Sequence, residues 1–236
     1  MGRLSSSGGV RTIPRNYRSL TGKVSFSGGS EAQPFESSLE RDFYQILDFD
    51  HQATSATAQP FKIPYEIDGE LRHYFPDVLV RYTDHISVVY EIKYRCDLAT
   101  QWADSVVKFK AAVKFCKANG MVFRILTDKE IRAGSIMANI QFLRGFREIP
   151  IEYGVKKRLI DGVRVLGPAL TPKILLEATY DSEDWKLRAM PVLWFLIANR
   201  MIEINFFERL TMNSHIWLSE RTLCQMPLSL SLRKAR

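Results

Sequence analysis

The chain has 236 residues, 46% of them hydrophobic and 25% charged, with a mean hydropathy of −0.14. These values fit a globular protein with room for one large or two modest cores. No uninterrupted apolar run reaches membrane-spanning length; the most apolar stretch, Met190–Ile197, ends in Ala198-Asn199-Arg200. The N-terminus lacks the apolar core of a secretory signal, and Cys96, Cys116 and Cys224 form no CxxC pair, so a cytoplasmic protein with free thiols and no structural zinc is expected.

The net charge of +7 is unevenly spread. Residues 1–35 carry net +4, residues 36–150 net −1 and residues 151–236 net +4. Basic ends around a neutral middle suit a polyanionic partner such as DNA, because Lys and Arg release counterions from a phosphate backbone. Excess lysine that simply keeps the protein soluble explains the charge equally well.

Residues 1–35, rich in Ser, Gly and Arg, read as a basic, partly disordered arm. A helix is predicted from about Phe35, with Leu39, Phe43, Ile46 and Leu47 as its apolar stripe and Glu40 at the edge of it. Extended segments follow at Phe61–Ile67 and Leu71–Tyr82, joined through the hairpin signal Asp68-Gly69. A third strand over His85–Tyr94 alternates cleanly, with Glu91 and Lys93 on one face. A long helix is predicted from an Asp97 cap to the Asn119-Gly120 stop, burying Leu98, Trp102, Val106, Phe109, Val113 and Cys116. A buried strand at Met121–Thr127 and a helix from Asp128 to about Arg147 complete an α/β layout, a mixed sheet flanked by helices over residues 36–150.

After Pro150 the pattern changes. Lys156-Lys157-Arg158 opens a basic section that is a candidate DNA contact. Helices at about 172–179 (Thr171 cap, Pro172 in the first turn) and 183–200 precede strand-like pieces at Ile202–Glu208 and His215–Ser219, a winged-helix-like order over 151–236. Trp102, Trp185, Trp194 and Trp217 sit in apolar patterns and are expected in cores. Gln59-Pro60 is expected to support entry to a strand, and the face carrying Lys110, Lys114 and Lys117 to be solvated.

Pro76-Asp77 and Glu91-Ile92-Lys93 are the residues with chemical content. An antiparallel pairing of their strands would bring Asp77 and Glu91 close enough to hold one cation, and oxygen ligands of this kind suit Mg²⁺ or Mn²⁺. A metal held there polarises a phosphate and acidifies a bound water; Lys93 could stabilise developing charge, and Glu40 could add a ligand. This is the logic of the PD-(D/E)xK nucleases. The plain alternative is a turn cap at Asp77 and a surface ion pair at Glu91–Lys93. A strand lying between two helices should be central, however, and two charges on a covered face are costly unless used or paired.

Further segments carry a resemblance: Thr21-Gly22-Lys23, Glu36-Ser37-Ser38-Leu39-Glu40, Gln59-Pro60-Phe61-Lys62-Ile63, Tyr74-Phe75-Pro76-Asp77, Tyr90-Glu91-Ile92-Lys93 and Leu126-Thr127-Asp128-Lys129-Glu130-Ile131. In this order, over about residues 20–149, the chain resembles the TnsA endonucleases of heteromeric transposases. Ala189–Trp194 and Ile197–Arg200 resemble that family's C-terminal winged-helix-like domain. The resemblance implies a restriction-endonuclease-like core that uses Mg²⁺, with Mn²⁺ substituting, to cut the 5′ ends of the transposon. It implies Glu40, Asp77, Glu91 and Lys93 as catalytic residues, and Asp77, Glu91, Glu40 and the Ile92 carbonyl as metal ligands. The implied partners are transposon-end double-stranded DNA, a DDE-type transposase (TnsB) and an AAA+ regulator (TnsC), in a bacterial cytoplasm and at the nucleoid when DNA is bound. Some members carry Gln where this chain has Glu91. An autonomous PD-(D/E)xK nuclease, for restriction or junction resolution, and a non-catalytic DNA-binding adaptor are the alternatives.

Overall fold

A computed structural model describes residues 22–24, 32–167 and 169–219. Most of the expected basic arm, Thr21, Cys224 and the last residues, 220–236, lie outside the described residues. The chain divides into two compact units, Met1–Ile131 and Arg132–Arg236.

In the first unit, β1 (Gly22–Val24) pairs antiparallel with β2 (Gln33–Phe35), so ordered pairing begins within the segment read as an arm. The Gln33 side chain accepts the Ala58 amide at 3.0 Å, and Phe35 is buried, which ties this ribbon to the folded unit. Helix α1 (Ser38–Asp48) follows and buries the predicted stripe of Leu39, Phe43, Ile46 and Leu47. Its start is fixed by a capping box: Ser37 Oγ accepts the Glu40 amide at 3.1 Å, and the Glu40 carboxylate reaches back to the Glu36 amide at 2.9 Å.

The main sheet has the order β3 (Ala53–Ala58), β6 (Val78–Tyr82), β7 (Ser87–Lys93), β8 (Val122–Thr127). The first two pairings are antiparallel and β7–β8 is parallel, which gives a mixed sheet with β7 central. Strand β3 was not anticipated. The predicted strand Leu71–Tyr82 is two: β5 (Glu70–Tyr74) pairs with β4 (Ile63–Ile67) as a separate hairpin, and β6 enters the sheet. The break falls at Phe75-Pro76-Asp77, where proline has no N–H to give to a ladder. Asp68 and Gly69 form the hairpin turn at φ 53° and 75°, as the sequence predicts.

The predicted long helix is also two, α2 (Arg95–Thr100) and α3 (Trp102–Ala118), meeting at Gln101. Asp97 lies inside the first turn of α2 instead of capping it. The buried face of α3 is Ser105, Phe109, Ala112 and Cys116, whereas Trp102 and Val113 are exposed. Together these helices form the crossover that a parallel β7–β8 pair requires. On the α3 side, Phe109, Ala112 and Cys116 pack with Leu79, Val89, Phe61, Ile63 and Tyr74. On the other side, α1 meets the sheet through Phe43 and Tyr90, whose ring centroids are 5.0 Å apart. Helices on both faces of a mixed sheet match the α/β expectation.

A short helix α4 (Asp128–Ile131) ends the first unit. The helix predicted to run on to Arg147 stops there and restarts as α5 (Ile136–Arg144) in the second unit. Gly134, at φ 53°, forms the break: a Cβ on it would sit 2.3 Å from the Phe207 carbonyl oxygen. The expected division at residue 150 would separate α5 from α8 (Glu183–Ala198), yet Phe142 and Trp194 pack edge to face at 5.5 Å. The second unit adds α6 (Tyr153–Leu166), not anticipated as a helix, and α7 (Pro172–Thr179), whose Thr171 cap accepts the Ile174 amide as expected. Pro191 is carried inside α8. Strands β9 (Ile202–Ile204) and β10 (Ile216–Leu218) pair antiparallel. Of the tryptophans expected in cores, Trp194 is buried, Trp217 is half-buried, and Trp102 and Trp185 are exposed.

Candidate active site

Asp77 immediately precedes β6, and Glu91 lies near the end of β7. With Val78 opposite Tyr90, Asp77 stands across from Glu91, as the sequence requires of an antiparallel pair. One Asp77 oxygen, Oδ2, accepts the Ile92 amide at 2.6 Å; Oδ1 receives no donor from the described residues. Glu91 is only 2% exposed. Its Oε2 accepts the Tyr74 hydroxyl at 2.5 Å and its Oε1 faces the Lys93 ammonium at 3.4 Å. Lys93 remains one-third exposed, so its charge is reachable from solvent. Glu91 and Lys93 are therefore neither a surface pair nor stranded charges: the buried partner has two donors and the other opens outward.

Glu40 joins from α1. Both of its oxygens are engaged, Oε2 by the Glu36 amide and Oε1 by Ser37 Oγ at 2.9 Å. Its charge acts on Asp77 and Lys93. The loop before β4 contributes Gln59, which holds a left-handed backbone at φ 41°. Its amide donates to the Asp77 carbonyl at 2.8 Å and its Nε2 to Glu36 Oε1 at 3.2 Å. Gln59 thus fixes the backbone that presents Asp77, a sharper role than support for a strand. Beyond Lys93, Tyr94 Oη and Ser38 Oγ are 2.9 Å apart, and the Arg95 amide donates to Asp128 at 2.7 Å. Thr127 and Glu130 form a second capping box, at the start of α4.

Three carboxylates facing one ammonium have an electrostatic cost. Burial, then the charges of Glu91 and Glu40, hold the Asp77 carboxyl well above the usual range, against the opposing effects of Lys93 and the Ile92 amide. Burial also raises Glu40. For Lys93, burial opposes the charged form, but Glu91, Asp77 and Glu40 outweigh it and hold the amine above its usual value. Such a cluster has a surplus of negative charge and hard oxygen donors. Its chemistry fits a divalent cation of the Mg²⁺ type, which takes one or two carboxylates and keeps its remaining ligands as water or phosphate. Among the described residues no three acidic, His or Cys side chains gather into a ready-made metal cage.

Tyr74 and Gln59 are the residues that reading for acids and bases missed, although both lie in the quoted motifs. Lys156, Lys157 and Arg158 belong to α6 in the second unit, where Lys157 and Arg158 are exposed and Lys156 is half-buried. Lys157 pairs with Asp161 at 3.7 Å.

A search of curated proteins finds no match to the chain. Residues 50–128 match the family model of the TnsA-like endonuclease N-terminal domain, a span that holds Asp77, Glu91 and Lys93 and leaves Glu40 just outside it. That match spans about a third of the chain and supports a TnsA-like endonuclease domain over those residues.

Proposed function

We propose that the chain is the DNA-cutting subunit of a heteromeric transposase, a metal-dependent endonuclease that cleaves the 5′ ends of the transposon in cut-and-paste transposition. The observation that carries this reading is the meeting of Asp77, Glu91 and Lys93 at paired strand ends, within the segment matched to a TnsA-like endonuclease domain. Asp77 and Glu91 would hold Mg²⁺ or Mn²⁺, with the Ile92 carbonyl and Glu40 beside them. Bound there, the ion supplies Lewis-acid polarisation of a phosphate oxygen and an acidified water.

The chain's own residues prepare that chemistry. Tyr74 and Lys93 keep Glu91 oriented in a covered position. The Ile92 amide and Gln59 fix Asp77 from its side chain and its backbone. Lys93, partly open to solvent, offers a positive charge to a phosphate oxygen as negative charge develops on it. In the second unit, helices α6 to α8 followed by the β9–β10 hairpin have the element order of a winged helix. This supports a DNA- or partner-docking role, with Lys156, Lys157 and Arg158 as phosphate contacts. A DDE-type transposase (TnsB) and an AAA+ regulator (TnsC) are the partners this reading calls for, at the nucleoid of a bacterial cytoplasm.

The test is nicking of a transposon-end duplex by the full chain with Mg²⁺, comparing wild type with Asp77→Ala, each with and without the companion transposase. Cleavage that needs Asp77, metal and the transposase supports the proposal. Asp77-dependent cleavage without the transposase points to an autonomous nuclease. A chain that binds the DNA but never cuts it is an adaptor.

A further inference from the structure

Glu36, just before the cap of α1, and Glu40 and Tyr44 within the helix follow one another at four-residue spacing and so share one face. Glu36 holds Gln59, and Glu40 closes the capping box. Tyr44 has no such bond. It is fully buried, and its hydroxyl has no hydrogen-bond partner among the described residues. A buried hydroxyl left unpaired costs about 1–3 kcal/mol, so an isolated one calls for a reason.

Its surroundings supply one. The charges of Glu40 and Asp77 reach the phenol, and together with burial they raise its pKa, so the group stays a neutral O–H donor. In the carboxylate cluster, both oxygens of Glu40 and both of Glu91 already face donors. Only Asp77 Oδ1 does not. Among the described residues, then, one buried hydroxyl has no hydrogen bond, and it feels the charge of the carboxylate whose Oδ1 has no donor.

We propose that Tyr44 is a positioning residue of this site, its hydroxyl donating through one ordered water to Asp77 Oδ1 and so fixing that carboxylate for a divalent cation. A water accepting from a phenol and donating to a carboxylate satisfies both groups. The inference rests on the reading of the cluster as a divalent-cation site.

The test measures Mn²⁺ uptake by the full chain without DNA, from loss of the free-ion EPR signal, alongside melting temperatures in chelator. Tyr44→Phe removes one unpaired buried oxygen and keeps the ring. It is expected to melt at or above the wild-type temperature, yet to bind Mn²⁺ about tenfold more weakly, as for other outer groups that orient metal ligands. Asp77→Ala should lose the ion altogether. If Tyr44→Phe binds Mn²⁺ like wild type while Asp77→Ala does not, the phenol only fills space and the inference falls. A melting temperature several degrees lower in chelator would assign the hydroxyl a structural bond instead, and overturn it equally. A wild type that takes up no Mn²⁺, or an Asp77→Ala chain that takes up as much, removes the cation reading and this inference with it.

Discussion

Tyr74→Phe isolates the bond that makes a buried glutamate tolerable. Glu91 is almost wholly covered, and its two protein donors are the Tyr74 hydroxyl and the Lys93 ammonium. The ring of Tyr74 packs edge-on against Phe109 and Phe123, at 6.2 and 6.4 Å, and those contacts survive the substitution. What is lost is one hydrogen bond to a charged acceptor, worth about 1.5–3 kcal/mol. Lys93 stays at 3.4 Å and relieves part of the deficit, so a loss near the middle, about 2 kcal/mol, is expected. For a chain of this size that is roughly 4–8 °C in Tm.

The assay is urea unfolding in chelator at pH 7, read as a double-mutant cycle with Glu91→Gln. If the hydroxyl acts on the Glu91 charge, Tyr74→Phe costs at least ~1 kcal/mol less in the Glu91→Gln background than in wild type. Equal cost in both backgrounds, or a change within ~0.5 kcal/mol in wild type, would refute the claim that Tyr74 carries the buried carboxylate.

Three further outcomes follow from the same geometry. Asp77→Asn keeps an oxygen for the Ile92 amide but removes a charge whose folded-state pKa is raised; wild-type stability should therefore fall as pH rises from about 4 through that raised value, and the variant, left with the raised Glu40, should show a shallower slope. In chelator its advantage in Tm is accordingly larger at pH 8 than at pH 5, while Mg²⁺-dependent nicking is lost. Ser37→Ala removes the cap of α1 and one donor to Glu40, and should cost about 1 kcal/mol in urea unfolding, with Ser37→Thr recovering most of it. In mass-mapped alkylation of the native chain at pH 8, exposed Cys96 should label at least tenfold faster than Cys116, which is buried and whose thiol is pushed up to about 11.

The parts of the fold that were legible are those whose signal is local. Asp68-Gly69 turns because both positions must adopt positive φ, and Thr171-Pro172 starts a helix because one caps and the other lacks a donor that would be unpaired anyway. The pairing of Asp77 with Glu91 followed from alternation on β7 and a short connection. What escaped was burial by small or polar residues. Strand β3 reads Ala-Thr-Ser-Ala-Thr-Ala over Ala53–Ala58, with no large apolar side chain to announce it, yet Ala53, Ala56 and Ala58 are buried. The inner face of α3 is set by Ser105 and Ala112, which admit close packing, so the larger Trp102 and Val113 could turn outward. Gly134 fits a helix by pattern and breaks one because of where Phe207 comes to lie, a fact no local window contains. The charged residues of the candidate site stand out in the sequence and the neutral groups that hold them do not, since Tyr74 and Gln59 acquire their contacts only from residues distant in sequence.

The capping box at Ser37–Glu40 links the stability of α1 to the site's charge. As the chain stands, Glu40 commits both oxygens to the start of its helix, whereas Asp77 keeps one uncommitted. An incoming cation would therefore meet Asp77 first and feel Glu40 through space. For Glu40 to become a direct ligand it must release a donor. Ser37 Oγ, a hydroxyl on a single rotor, can be given up more readily than the Glu36 amide, whose direction is set by the backbone. Release need not unwind α1, because Ser37 Oγ would still accept the Glu40 amide. On the proposed cation reading, the same carboxylate would stabilise the helix in the empty site and would turn toward a bound ion by giving up the Ser37 hydroxyl alone.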